Sequence, residues 1–313
     1  MKYVLFSWCL LGALFINGNI QAQSTPLMPE ALEKLEAVED TLGMLAYAMV
    51  NDSIEENRFG AVRAFIPTLV QALKTPNSFQ FPFEQLQMVS IQYPADSTFR
   101  VFTWQVYVDK DNYRYYGAIQ MDREELQLTP LRDRSFEVTE DLEQVVLSPD
   151  QWYGSLYYNI QTVGTGEQAY HLLFGFDGYE FFRKRKIVDV LRFVDGEPTF
   201  GAPVFIKASP DGMSSSSKNR LVFEYSATAS MRCNYDLALD LLIFDHLTTI
   251  GGQYDEGPVN IPDGTYEAYQ LTNGRWEYVE KVFNTWLDEP PRPEPILDGR
   301  NGKDIMGRDG GGR

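Results

Sequence analysis

From about residue 79 onward the chain alternates apolar and polar residues at period two, and Asp-Gly and Asn-Gly pairs punctuate the alternation. No other feature restricts the fold as strongly, because strand side chains point to opposite faces in turn and such pairs close antiparallel hairpins. The clearest case is Phe102 to Met121, FTWQVYVDKDNYRYYGAIQM. Phe102, Trp104, Val106 and Val108 share one face, with Thr103, Gln105 and Asp109 on the other. Past Asp109-Lys110-Asp111-Asn112, the residues Tyr115, Gly117, Ile119 and Met121 share a face. The pattern reads as a hairpin with one buried side, so most of its rings belong to a core. Tyr107 and Tyr116 fall on the opposite parity and are the candidates there for a ligand platform.

The alternation repeats downstream, in segments beginning near Tyr153, Tyr170, Ile187, Thr199, Leu221, Met231, Leu239, Thr265 and Trp276. Many short strands with tight turns predict a large antiparallel β body, as a sandwich, a barrel or a propeller-like array. Before it, Leu32, Leu35, Val38, Leu42, Leu45 and Met49 recur at helical spacing, followed by Val62, Phe65, Ile66, Leu69, Val70 and Leu73. These predict an N-terminal helical hairpin, with Pro67 kinking its second helix or marking that helix's first turn. The organisation expected is a signal peptide over 1–22, the helical hairpin over 23–78, the antiparallel β domain over 79–288 and a disordered Pro- and Gly-rich tail over 289–313. Met213 to Lys218, with four consecutive serines, reads as an exposed flexible loop.

Lys2, the apolar run Tyr3 to Ile16 and a polar stretch ending at Ala22 have the layout of a secretory signal, with cleavage expected after Ala22. The mature chain is then periplasmic or secreted, and no later segment is long and apolar enough to span a bilayer. With 44 acidic against 27 basic residues the net charge is −17, which disfavours nucleic acid as a partner because polyanion binding depends on basic contacts. The basic run Arg183-Lys184-Arg185-Lys186 reads as a solvated hairpin turn. Cys233 is the one cysteine outside the signal segment, so no intramolecular disulfide forms, and it reads as a small core hydrophobe.

Several short motifs, Phe174-Gly175-Phe176-Asp177-Gly178, Lys186 to Leu191, Phe200 to Phe205, Ile243 to Leu247 and Pro262 to Tyr266, resemble a group of uncharacterised exported proteins of Bacteroidota. The resemblance runs from the helical hairpin to about Trp286 and implies an extracytoplasmic setting. It implies no activity.

The candidates for catalysis are Asp245 with His246, adjacent at the end of an apolar strand, and His171. Neighbouring strand residues point apart, so Asp245 orients His246 only if the strand ends between them. No Gly-x-Ser-x-Gly elbow is present, and two histidines without zinc-ligand spacing disfavour zinc. Calcium is the one metal left open, through loop oxygens at Asp109, Asp111, Asp255, Glu256 and Asp263. Trp152, Tyr153, Tyr157 and Tyr179 would suit sugar stacking if exposed, and equally the faces of an internal sheet; with Tyr107 and Tyr116, Trp152 and Tyr179 complete the candidate ligand contacts. The expectation is a non-catalytic exported protein that binds or scaffolds at the cell envelope, with a glycan or protein partner. The alternative is a glycan- or ester-directed hydrolase.

Overall fold

The computed structural model describes residues 26–209, 213–252, 257–280 and 282. The signal segment, the tail, and Asp255 and Glu256 therefore lie outside the described residues. Helix α1 (Pro29–Asn51) starts on a proline, whose missing N–H is no loss in a first turn, and buries Leu35, Leu42, Ala46 and Met49. Helix α2 (Glu55–Leu73) buries Val62, Phe65, Leu69 and Leu73 and carries Pro67 in its interior rather than in its first turn.

Among the described residues fifteen strands follow: β1 (Ser90–Gln92), β2 (Phe99–Asp109), β3 (Asn112–Met121), β4 (Leu128–Arg132), β5 (Leu156–Val163), β6 (Tyr170–Asp177), β7 (Arg183–Val194), β8 (Glu197–Phe200), β9 (Phe205–Ala208), β10 (Ser215–Lys218), β11 (Leu221–Ser226), β12 (Cys233–Asp236), β13 (Leu241–Gly251), β14 (Pro258–Thr272) and β15 (Arg275–Val279). They form three sheets. The first runs β1-β2-β3-β4, the second β11-β7-β6-β5 with β8 against β7, and the third β10-β9-β15-β14-β13-β12. All pairings are antiparallel except β15 with β9. The β body expected from the sequence is thus a stack of open sheets, and the helical hairpin forms an additional layer.

Three cores seal the layers. Leu35, Leu42, Phe65 and Leu69 of the helices meet Phe102, Trp104 and Val106 of β2. Phe99 and Val101 of β2, with Tyr115 and Ile119 of β3, meet Leu173, Ile187 and Leu191 of the second sheet. The opposite face of that sheet, Leu172, Phe174, Val188 and Val190, meets Phe205, Leu242, Phe244, Tyr269 and Trp276 of the third. The second sheet is therefore covered on both faces.

This stacking corrects the reading of the opening hairpin. Trp104 pairs with Tyr116 and Gln105 with Tyr115, so Phe102 and Trp104 of β2 face the helices while Tyr115 and Ile119 of β3 face the second sheet. Both sides are buried, and an apolar-polar alternation cannot distinguish a solvated face from one that carries Thr103 and Tyr115 into a second interior. Two further readings change. Ser215–Lys218 is an edge strand paired to β9, since a ladder needs only backbone groups and tolerates exposed serines. Arg183–Lys186 opens β7 instead of forming a solvated turn, because each cation there has a partner within the fold.

Candidate functional site

The first and second sheets splay apart where β3 begins and β6 ends, leaving a cleft of about 870 Å³. The start of β3 contributes Tyr113 and Tyr115, the chain after β4 contributes Asp133, Phe136 and Glu140, and the β6–β7 connection contributes Asp177, Tyr179 and Arg185. Two glycines permit this convergence. A Cβ on Gly178 would lie 2.6 Å from the Tyr113 ring, and one on Gly154 would lie 2.6 Å from both Asp133 Cγ and Tyr115 Cβ.

At the base of the cleft Asp177, 5 % exposed, organises its neighbours. Its Oδ1 accepts from the Tyr115 hydroxyl at 3.0 Å and from the Tyr179 backbone N–H at 2.9 Å, and its Oδ2 accepts from the Tyr153 hydroxyl at 2.6 Å. The Tyr115 oxygen in turn accepts from the Gly178 N–H at 2.6 Å, and the Tyr153 oxygen from Arg185 at 3.0 Å. Arg185 also donates to Glu224 at 2.8 Å and stacks over the Tyr179 ring, 3.3 Å from its centroid. Tyr179 holds a φ of 44°, a left-handed turn residue fixed from both sides by Asp177 and Arg185.

Burial pushes the Asp177 carboxyl above the usual carboxylate range, although its three donors and Arg185 pull the other way. Burial, and then the neighbouring Asp177, push the Tyr115 and Tyr153 hydroxyls up, so both remain protonated donors. Burial alone would lower Arg185; Tyr153 and Glu224 outweigh it and hold the guanidinium above its ordinary value. The base of the cleft is thus a closed hydrogen-bond network. Around it the cleft is lined by the exposed Phe136 ring, the half-buried Tyr113 and Tyr179 rings, and exposed Glu140, Asp141 and Arg114.

Of the residues picked out in the sequence, Tyr153, Tyr179 and Asp111 line this cleft. Tyr107 is 40 % exposed, packs edge-on to Tyr113 and lies under Arg58. Tyr116 stacks on Trp104 at 5.7 Å and helps cover the helix-facing core. Trp152 is fully buried, its indole N–H donating to the Tyr157 hydroxyl at 2.8 Å, so it exposes no ring face; Tyr153 and Tyr157 are likewise buried.

The catalytic candidates separate. β13 continues through Asp245 and His246 to Gly251, with a register shift between Asp245 and Leu247. Buried Asp245 accepts from the Arg232 N–H at 2.7 Å, whereas His246 Nδ1 lies 2.7 Å from Asp263. Adjacent strand residues diverge, as parity requires, and among the described residues no serine or cysteine hydrogen-bonds His246. His171 sits at the opposite end of the seam between the first two sheets, its Nδ1 3.0 Å from Thr162 Oγ1. Cys233 is buried, and burial pushes its thiol up to about 12, leaving it inert at neutral pH.

The calcium candidates are dispersed as well. Asp109 accepts from Asp111 N–H at 3.0 Å and from the Asn112 amide at 2.8 Å, closing the β2–β3 turn. Asp263 belongs to the third sheet, where Thr265 and His246 occupy both its oxygens and hold its carboxyl down to about 2. Among the described residues no group of three or more His, Cys, Asp or Glu side chains is arranged to hold a metal ion.

Sequence reasoning missed the base of the cleft. Asp177-Gly178 reads as one more hairpin turn, and Tyr115 and Tyr153 as sheet rings, because nothing local says that one carboxylate gathers both hydroxyls. The usable signal was the basic run Arg183 to Lys186, too long for a turn between strands and unusual beside the apolar β7. Comparisons of the chain with protein-family models, with curated proteins and with solved structures find no match.

Proposed function

We propose that this is a non-catalytic, exported binding protein of the cell envelope, and that the cleft at the Asp177 end of the seam holds its ligand, a hydroxyl-rich chain such as a glycan. The observation that carries the reading is the state of Asp177. Both of its oxygens accept hydrogen bonds that brace Tyr115, Tyr153 and Tyr179, which suits a support for rings better than a free base or nucleophile. Aromatic faces beside exposed carboxylates and a guanidinium suit a ligand with apolar ring faces and a hydroxyl rim. The signal-like segment supports export. Among the described residues no helix is long and apolar enough to cross a membrane.

The test is thermal unfolding of the full chain against soluble glycans and peptidoglycan fragments, with calcium and a chelator as controls. A saturable rise in Tm with a glycan, lost in Tyr179→Ala and Phe136→Ala, supports the reading. No rise with any member of the panel counts against it.

One observation favours the alternative, a glycan- or ester-directed hydrolase: a carboxyl held above its usual range in a cleft is what a general acid requires. A hydrolase of the expected kind would also join a histidine to that carboxyl, and the two described histidines lie elsewhere. Incubating the protein with each ligand that shifts Tm, and assaying for product, separates the two.

A further inference from the structure

The seam between the first and second sheets opens a second time, at its far end, into a cleft of about 890 Å³. Here β2 begins and β3 ends, β6 begins and β7 ends, so the two clefts lie a full strand length apart. Their chemistry differs. Where the first is braced by tyrosine hydroxyls and a guanidinium, the second is floored by Phe99, Met121, Phe193 and His171.

His171 is only 5 % exposed. Its ring meets Phe99 at 4.8 Å and Phe193 at 6.3 Å between centroids, and those two meet each other at 5.2 Å, every pair steeply inclined. Thr162 Oγ1 engages Nδ1 and fixes the ring's orientation, while among the described residues Nε2 has no hydrogen-bond partner. Burial keeps the imidazole below its usual range, so at neutral pH the ring is uncharged, with one N–H and one lone pair. The charged groups of this cleft, Asp96, Arg192 and Asp195, are all exposed at its rim, leaving the floor itself uncharged. An unpartnered ring nitrogen set among aromatic rings, with a thioether lining the same cleft, is complementary to a flat neutral ring with a polar edge.

We infer that this second cleft binds an aromatic ring bearing a hydrogen-bonding edge, a phenol being the simplest form, seated against Phe99, Phe193 and Met121 with its polar group on His171 Nε2. The inference is independent of what occupies the first cleft. Two sources carry this chemistry, a free phenolic compound and a tyrosine side chain of a peptide.

The chain contains only two histidines, which makes the test direct. The full chain labelled with ¹⁵N is titrated with phenol, and the two imidazole spin systems are followed, His246 serving as the internal control. A saturable shift confined to His171, absent with cyclohexanol and weakened more than about tenfold in His171→Phe, is the expected result. N-acetyl-tyrosinamide binding more tightly than phenol identifies a peptide-borne ring as the source, and the reverse order identifies a free phenol; either supports the site. Equal shifts at both histidines, no saturation by about 10 mM phenol, or equal binding of cyclohexanol overturns it. The wild-type titration decides the matter even if the variant fails to fold.

Discussion

Asp177→Asn sets burial against hydrogen bonding at the base of the first cleft. The carboxylate accepts three hydrogen bonds, two from tyrosine hydroxyls and one from a backbone N–H. A bond to a charged acceptor contributes about 1.5–3 kcal/mol net and a neutral one about 0.5–1.5, so neutralising the acceptor loses roughly 1 kcal/mol at each. Against that loss of about 3 kcal/mol stands relief of the burial cost of the charge, worth about 1.4 kcal/mol for each tenfold by which burial raises proton affinity. Because this carboxyl titrates above its ordinary range, burial outweighs the donors, so the variant is expected to stay within about 1 kcal/mol of the wild type near neutral pH, roughly 2–4 °C in Tm for an ordered region of this size.

The pH dependence makes the test sharper. The folded carboxyl titrates above its ordinary 3.8, so between 3.8 and the folded value the native state binds more protons than the unfolded state. Wild-type stability from this group then falls as pH rises through that window, and its full penalty is present above it. The asparagine variant has no such slope. Urea unfolding of both proteins near pH 4 and near pH 7 should show a larger difference at the acid end. A difference that grows with pH instead would mean that the three donors and Arg185 outweigh burial. It would refute the reasoning and, with it, any general-acid role for Asp177.

Arg100→Met tests a second buried charge. Arg100 is fully buried, donates to Phe81 O, Ser78 O, Gln120 and Tyr93, and lies within 6 Å of four aromatic rings, while among the described residues no carboxylate pairs with it. Stranding three buried acceptors should cost about 3 kcal/mol net of the relieved desolvation, read by urea unfolding; a neutral outcome would mean that the cation is a burden on the fold. His171 supplies a third prediction. Its folded value lies below 6.5, so the native state binds fewer protons than the unfolded state and stability falls as pH drops through 6.5. Asp96, which raises the value, opposes this only in part. His171→Gln should flatten that slope in thermal unfolding between about pH 7 and pH 5, and an unchanged slope would exclude His171 as its source.

The elements were legible in the sequence because each is set by local periodicity and punctuation. Asp195-Gly196 and Asn273-Gly274 take φ values of 54° and 84°, and 51° and 78°, as tight hairpin turns demand. The long β7 was half legible. Its apolar stretch stood out, but its first turn of cations did not, because Arg183 and Arg185 are satisfied by Glu224 of β11, some forty residues on. The candidate site was legible at Tyr179 and Asp111, and at Tyr153 only as a ring that would stack if exposed. Period-two alternation says which residues share a face and nothing about which sheet that face meets, so the gathering of Tyr115, Tyr153 and Arg185 around Asp177 could not be read in advance.

The location of both clefts follows from the same sheet order. The second sheet is sealed along its length on both faces, by Tyr115, Ile119 and Val101 on one side and by Phe205, Leu242 and Trp276 on the other, so nothing can bind across its middle. The seam can admit a ligand only where strands end and sheets splay, and those two ends receive different side chains because β6 and β7 run in opposite directions. One end takes the close of β6 and the start of β7, which bring Asp177 and Arg185; the other takes the start of β6 and the close of β7, which bring His171 and Phe193. Exchange of ligands at one end should therefore leave the other unmoved unless the sheets shift as bodies. His171 resonances that respond to a glycan bound at the Asp177 end would show such a shift, and silent ones would show that the sealed middle of the seam keeps the ends independent.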